Sequence, residues 1–253
     1  MRVSFPVILT LMLVSSSLGQ DSLRNPKVGF YRANYVVAGF NRAAQVKFQF
    51  SLRYRIFREL PFHMTYSQKS FWDLYEWDRS TPFRESNYNP GLFWEEIPQP
   101  EGALRALRLG IDHESNGKDG LSSRSWNRVF LETEVVVVEG RWRVQPRMDI
   151  PFAVANENRD ILDYLGPGEI MVEYVSSAIP DNNRFQFTLR KGRGWIGRRF
   201  SWHADWMMRP VTALGIAPFG INPSLYLQVW QGYGESLIDY NVSLTRVRLG
   251  IQF

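Results

Sequence analysis

The sequence predicts an all-β fold, a transmembrane antiparallel β-barrel of about twelve strands. Three observations carry this expectation. Apolar and polar residues alternate with period two over runs long enough to cross a bilayer as tilted strands, which takes about nine to eleven residues. No stretch beyond the N-terminus has the length and apolarity of a membrane helix; the nearest, Val135 to Val138, is closed by Glu134 and Glu139. Aromatic residues make up 15% of the 253 residues, as interfacial girdles require, and with 0 cysteines no disulfide framework supplies stability instead.

The chain opens with Met1-Arg2 and an apolar run from Phe5 to Val14, followed by small residues through Gly19. The run is too short to span a bilayer as a helix, and Ser17 and Gly19 suit a signal-peptidase site. Residues 1–19 are therefore expected to be a signal peptide and residues 20–253 a single barrel domain. With no cysteine near that site, a lipoprotein anchor is excluded.

Strand candidates fall near 30–40, 46–57, 61–77, 83–96, 103–115, 125–138, 141–154, 167–178, 184–191, 198–210, 223–231 and 243–253. Their number is even, as a closed bacterial barrel demands. In the second, Val46, Phe48, Phe50, Leu52, Tyr54 and Ile56 alternate with Lys47, Gln49, Ser51, Arg53 and Arg55. Soluble strands commonly stop at five or six residues, so such length favours a membrane wall over a large β-sandwich, the main alternative. The last candidate sets Thr245, Val247, Leu249, Ile251 and Phe253 against Arg246, Arg248 and Gln252. A terminal aromatic on such a strand resembles the C-terminal signature of bacterial outer-membrane proteins. The net charge of +5 is modest and its basic residues are spread along the strands, which argues for lumen-lining arginines rather than a nucleic-acid surface.

One hairpin carries candidate chemistry. Leu107, Leu109 and Ile111 share the apolar face of a strand, and the same parity continues to His113 and Ser115. On the partner strand Val129, Leu131, Val135 and Val137 share a face that reaches Asn127. Polar groups continuing a lipid face are costly and mark a functional site by default. Residues i and i+2 lie about 6.6 Å apart along a strand, which lets an imidazole serve a neighbouring hydroxyl as general base. Asn127 is placed to orient that ring, and a neutral amide suits the bilayer better than a carboxylate. A His-x-Ser pair alone is a weak signal; three polar residues on one apolar face of one hairpin are a stronger one.

The segment His113-Glu114-Ser115-Asn116-Gly117, with Ser122-Ser123-Arg124-Ser125-Trp126-Asn127-Arg128, resembles the signature of the outer-membrane phospholipase A family. So do two further blocks, Ser80 to Tyr88 and Gly232 to Asn241 with Thr245-Arg246-Val247. The blocks keep the family's order and span most of the chain beyond the leader. The resemblance implies a twelve-stranded barrel in the outer membrane of Gram-negative bacteria, with calcium-dependent phospholipase A1, phospholipase A2 and lysophospholipase activity in a homodimer. It implies Ser115 as nucleophile, His113 as base, Asn127 as orienting residue and the Gly117 amide as oxyanion donor. It places Ca2+ at the dimer interface, on the Lys118 carbonyl, the Ser123 hydroxyl and Ser80 of the second subunit, with Glu157 matching a further, monomer site. Lys118 stands where the family usually has Arg, and Glu157 where it has Asp. His203, Glu85 and Asn87 are read as lumen residues without a catalytic role. A non-enzymatic barrel and another outer-membrane esterase, such as a lipid A deacylase, are the competing readings. The intact His113, Ser115 and Asn127 argue against the first, and the Ser80 and Ser123 blocks against the second.

Overall fold

The computed structural model describes residues 27–41, 43–73, 83–98, 102–137, 141–176, 183–193, 199–208 and 223–253. The expected leader and Ser80 lie outside the described residues. A short strand β1 (Val28–Gly29) precedes β2 (Tyr35–Asn41), β3 (Ala43–Arg55), β4 (Phe62–Asp73), β5 (Phe83–Glu96), β6 (Leu104–Ser115) and β7 (Ser125–Val137). Then follow β8 (Trp142–Phe152), β9 (Gly168–Ser176), β10 (Asn183–Lys191), β11 (Phe200–Met208), β12 (Ser224–Gly232) and β13 (Leu244–Gln252). From β2 to β13 each strand pairs antiparallel with its sequence neighbours, and β13 pairs with β2. The sheet thus closes into a twelve-stranded barrel without an edge, the strand architecture that survives in hydrocarbon.

The alternation sets the two faces. Outward side chains include Tyr54, Met64, Leu92, Leu109, Ile111, Met148, Ile150, Phe187, Val247 and Leu249, all exposed and apolar. Inward ones include Lys47, Thr65, Asp112, Arg128, Arg147, Asp149, Thr188, Asp205, Gln228 and Arg248, all buried. This inversion of a soluble protein's faces is what a lipid solvent selects. An aromatic ladder crosses β8 to β11 near one rim, with ring centroids 4.7 Å apart for Trp142–Tyr174, 6.4 Å for Tyr174–Phe185 and 5.6 Å for Phe185–Trp206.

The first predicted strand begins later than expected. Residues 31–33 lie off the ladder, and side chains tie this segment to β3: Ser51 Oγ accepts from the Arg32 amide at 3.1 Å, and Asn34 donates to the Ser51 carbonyl at 3.2 Å. The main chain joins the C-terminal strand at Asn34, whose carbonyl accepts from the Phe253 amide at 2.9 Å, and pairs with β13 from Tyr35 onward.

The lumen is lined by ion pairs. Arg108 meets Glu95 at 2.6 Å and Glu132 at 2.8 Å, and Arg147 joins Asp112 at 2.6 Å to Asp149 at 2.8 Å. His203 lines the same space, 3.4 Å from Asp205. At the rim that ends β6, two connections fold over the mouth. One runs from β8 to β9 and contains a 3-10 turn, Asn156–Asn158, and the one-turn helix α1 (Leu162–Leu165). The other joins β12 to β13. Trp126, Ile161, Leu165, Leu237 and Tyr240 pack into an apolar cluster between them. Glu85 and Asn87 seat the second connection by accepting from the Ile238 amide at 2.8 Å and the Leu237 amide at 3.2 Å.

Candidate active site

The β6–β7 register sets His113 opposite Asn127 and Ser115 opposite Ser125. All four continue the outward parity of Leu109, Ile111 and Leu131. His113 Nδ1 lies 2.9 Å from Asn127 Oδ1. Asn127 Nδ2 donates to the Ala153 carbonyl at 3.1 Å.

Those two bonds fix the proton on the ring. A carbonyl oxygen only accepts, so Ala153 holds the Asn127 NH2 on its side and turns the amide oxygen to His113. That oxygen also only accepts, so Nδ1 of the neutral imidazole carries the hydrogen and Nε2 keeps its lone pair. Among the described residues, Nε2 has no protein partner and Ser115 Oγ makes no side-chain hydrogen bond. Ala153 is the one non-glycine residue with positive φ among those described, at 46°, in the turn that leaves β8. Backbone strain of this kind persists where the surroundings over-determine it.

The lumen side of the hairpin braces this arrangement. Asp112 and Glu114 flank His113 in sequence and point inward, where Arg128 reaches them at 2.6 and 3.3 Å. Trp126 donates to Glu114 at 3.1 Å. Asn158 clamps the partner of Ser115: its side chain accepts from the Ser125 amide at 3.2 Å and donates to the Ser125 carbonyl at 3.1 Å.

The loop between β6 and β7 is organised by Asn116, whose side chain donates to the Ser122 carbonyl at 2.8 Å and accepts from the Arg124 amide at 3.0 Å. Gly117 adopts φ +63°, and a Cβ there would fall 2.9 Å from the Tyr88 ring, so both conformation and space demand glycine. Tyr88 is the β5 register partner of Ser115. Lys118 donates its amine to the Arg84 carbonyl at 2.9 Å. Ser123 follows a 3-10 turn, Gly120–Ser122.

The described residues contain no cluster of three or more His, Cys, Asp or Glu fit to hold a metal. The expected calcium donors are of a different kind: the Lys118 carbonyl and the Ser123 hydroxyl sit in one loop, and neither accepts a hydrogen bond among the described residues. Free hard oxygens suit Ca2+. Glu157 is exposed on its 3-10 turn, in a different connection from Lys118 and Ser123.

The parity argument did not reach several supports: Ala153, Asn158, Asn116, Tyr88 and Asn89, which donates to the His113 carbonyl at 2.7 Å. It also missed a polar cluster on the lipid face of β4 and β5. Tyr66 bonds Gln68 at 2.9 Å, Gln68 bonds Ser70 at 3.1 Å, and Ser70 meets Ser86 at 2.8 Å. Its signal was in the sequence, since Gln68 and Ser70 interrupt the apolar parity of Phe62, Met64 and Tyr66.

A closed barrel with apolar side chains outside and a charged lumen defines a membrane β-barrel, and His113, Asn127 and Ser115 share its outward face. Residues 12–253 match the model of the family described as Phospholipase A1, and the chain belongs to that family. It is 33% identical over 227 residues to Phospholipase A1 of Escherichia coli (strain K12), covering 87% of this chain and 73% of that one. It is 34% identical over 218 residues to Phospholipase A1 of Salmonella typhimurium, covering 83% and 70%. Among solved structures, the Salmonella typhi outer membrane phospholipase dimer with bound calcium matches with TM-score 0.77 at 28% identity, covering 90% of this chain and 93% of that one. Outer membrane phospholipase A from Escherichia coli matches with TM-score 0.76 at 29% identity, covering 89% and 98%. The protein is accordingly a phospholipase of the Gram-negative outer membrane, a carboxylic ester hydrolase.

Proposed function

We propose that this chain hydrolyses the acyl esters of glycerophospholipids, as phospholipase A1, phospholipase A2 and lysophospholipase, with Ser115 as nucleophile, His113 as base and Asn127 as the residue that holds the base. One observation carries the reading: the Ala153–Asn127–His113 relay leaves a basic Nε2 on the lipid-facing side. Ser115 Oγ attacks the ester carbonyl and its proton passes to His113 Nε2. The tetrahedral intermediate collapses, the C–O bond to the glycerol breaks, and Nε2 returns the proton to the leaving alkoxide. Water, deprotonated by the same nitrogen, then attacks the acyl-serine; the C–O bond to Ser115 breaks, Nε2 returns the proton to Ser115 Oγ and a fatty acid is released. The Gly117 amide is assigned to the oxyanion.

The Lys118 carbonyl and Ser123 hydroxyl are assigned to calcium together with Ser80 of a second copy, and Glu157 to a separate site in the monomer. Bound there, calcium supplies positive charge that stabilises the oxyanion and polarises water. The Salmonella typhi relative is a dimer with bound calcium, which supports assigning both a calcium ion and a dimer to this chain. Residues 1–19 are assigned as a cleaved signal peptide and residues 20–253 as the barrel.

The test is hydrolysis of a defined phosphatidylcholine in detergent, with and without calcium, by the wild type and Ser115→Ala. The wild type releases fatty acid far faster with calcium than without, and Ser115→Ala loses nearly all activity while remaining a heat-modifiable barrel. Wild-type activity in Ser115→Ala removes the assignment. Cross-linked dimers no more active than monomers remove the interface model.

A further inference from the structure

The geometry points to Asn89 as a positioning residue that holds the main chain of His113 in place of a ladder hydrogen bond that Pro90 cannot make. The inference rests on the functional reading above.

The β5–β6 register pairs Tyr88 with Ser115 and Gly91 with Asp112, and it omits the two pairs between. Counting along the antiparallel strands puts Pro90 opposite His113. Pro90 has no N–H, so the His113 carbonyl loses the donor that every other residue type would offer from that position. The β4–β5 ladder runs unbroken past the same proline, with Tyr66 opposite Pro90, so the defect lies on the β6 side alone.

A ladder acceptor left open beside the catalytic base is costly twice. It strands a carbonyl in a wall that lipid covers. It also frees the main chain at the residue whose ring Asn127 holds. Asn89, the residue before the proline, faces the lumen and closes the gap by donating Nδ2 to the His113 carbonyl at 2.7 Å. His113 is then held from both sides of the barrel wall: its ring by Asn127 outside at 2.9 Å, its carbonyl by Asn89 from within. Asn89 touches neither ring nor hydroxyl and acts only through the main chain of His113.

The decisive experiment is a double-mutant cycle on the full-length protein in detergent with calcium. Asn89→Ala removes the side-chain donor; Pro90→Ala gives the main chain an N–H at the position facing the His113 carbonyl. Asn89→Ala lowers kcat about tenfold with KM little changed, since small misplacement of a reacting group is expensive. In the Pro90→Ala background the same substitution costs much less, because the ladder bond takes over. A merely structural role for Asn89 does not give this rescue together with a kcat-only loss. If Asn89→Ala does not fold, Asn89→Asp keeps the shape without the donor and is read in the same two backgrounds. Full kcat in both Asn89 variants overturns the proposal, and so does an equal loss with and without Pro90. Ser115→Ala, run in parallel, separates the two levels. Wild-type hydrolysis that survives Ser115→Ala removes the functional reading itself, whereas Ser115-dependent hydrolysis indifferent to Asn89 removes only the positioning role.

Discussion

The β6–β7 hairpin has two faces that solve opposite problems. The inner face is charged: Asp112, Glu114 and Arg128 form ion pairs in a buried lumen. The outer face carries Leu109 and Ile111, 51% and 49% exposed, and then the neutral pair of His113 and Asn127. A carboxylate outside would face hydrocarbon without a partner, whereas inside it meets guanidinium at 2.6 Å. The difference teaches that the charge which rigidifies the hairpin and the polarity assigned to catalysis alternate residue by residue on the same strands. Rigidity is supplied from within, by ion pairs that the outer face of the hairpin does not carry.

The comparison breaks most sharply at Ser115. Ser115→Ala is expected to lower phospholipid hydrolysis by a factor on the order of 10^5, with barrel stability unchanged in urea unfolding from vesicles. Calcium removal comes next. Excess chelator is expected to lower turnover about 10^2 to 10^3-fold, the usual weight of an oxyanion donor, and full activity in chelator removes the metal from the mechanism.

An inner-face substitution tests the other half. Arg128→Met leaves Asp112 and Glu114 each short of a partner, and breaking a buried pair costs about 3–5 kcal/mol. The expected readout is a lower unfolding midpoint, with folded molecules retaining esterase activity. A stable but inactive Arg128→Met sinks the division of labour between faces.

The smallest effect lies at the mouth. Glu235 sits in the β12–β13 connection, 3.2 Å from Lys47 and bound to Arg248. Burial alone would raise its carboxyl, but the two cations outweigh it and hold the group at about 2, below its ordinary 4.5. Its folded value is depressed, so its contribution is complete above 4.5 and is lost as pH falls from there through about 2. Glu235→Gln is expected to flatten acid destabilisation in that window, as measured by protease nicking of residues 233–243. An unchanged acid profile removes Glu235 as the source.

The barrel was legible because alternation is a local property. Every run of the Val46 to Ile56 kind states which residues face lipid, and eleven of the twelve predicted strands overlie observed ones within a few residues. The remaining one, the first along the chain, began late where Ser51 and Asn34, 17 residues apart, bind each other and tie the preceding segment to β3. The outward placement of His113, Ser115 and Asn127 was legible for the same reason of parity. Their supports were not. Ala153 lies 26 residues from Asn127 and Asn89 lies 24 from His113, and no periodicity links such positions.

The sequence by itself determined the two faces of the wall, the count of strands and the exit of His113, Ser115 and Asn127 onto lipid, because side-chain direction in a strand follows from residue number. Only the tertiary structure decided which nitrogen of His113 is basic. That depends on one carbonyl, at Ala153, brought to Asn127 by a turn after a neighbouring strand. A hydrogen bond's direction is set by what stands at its far end, and the far end here is joined by closure of the sheet.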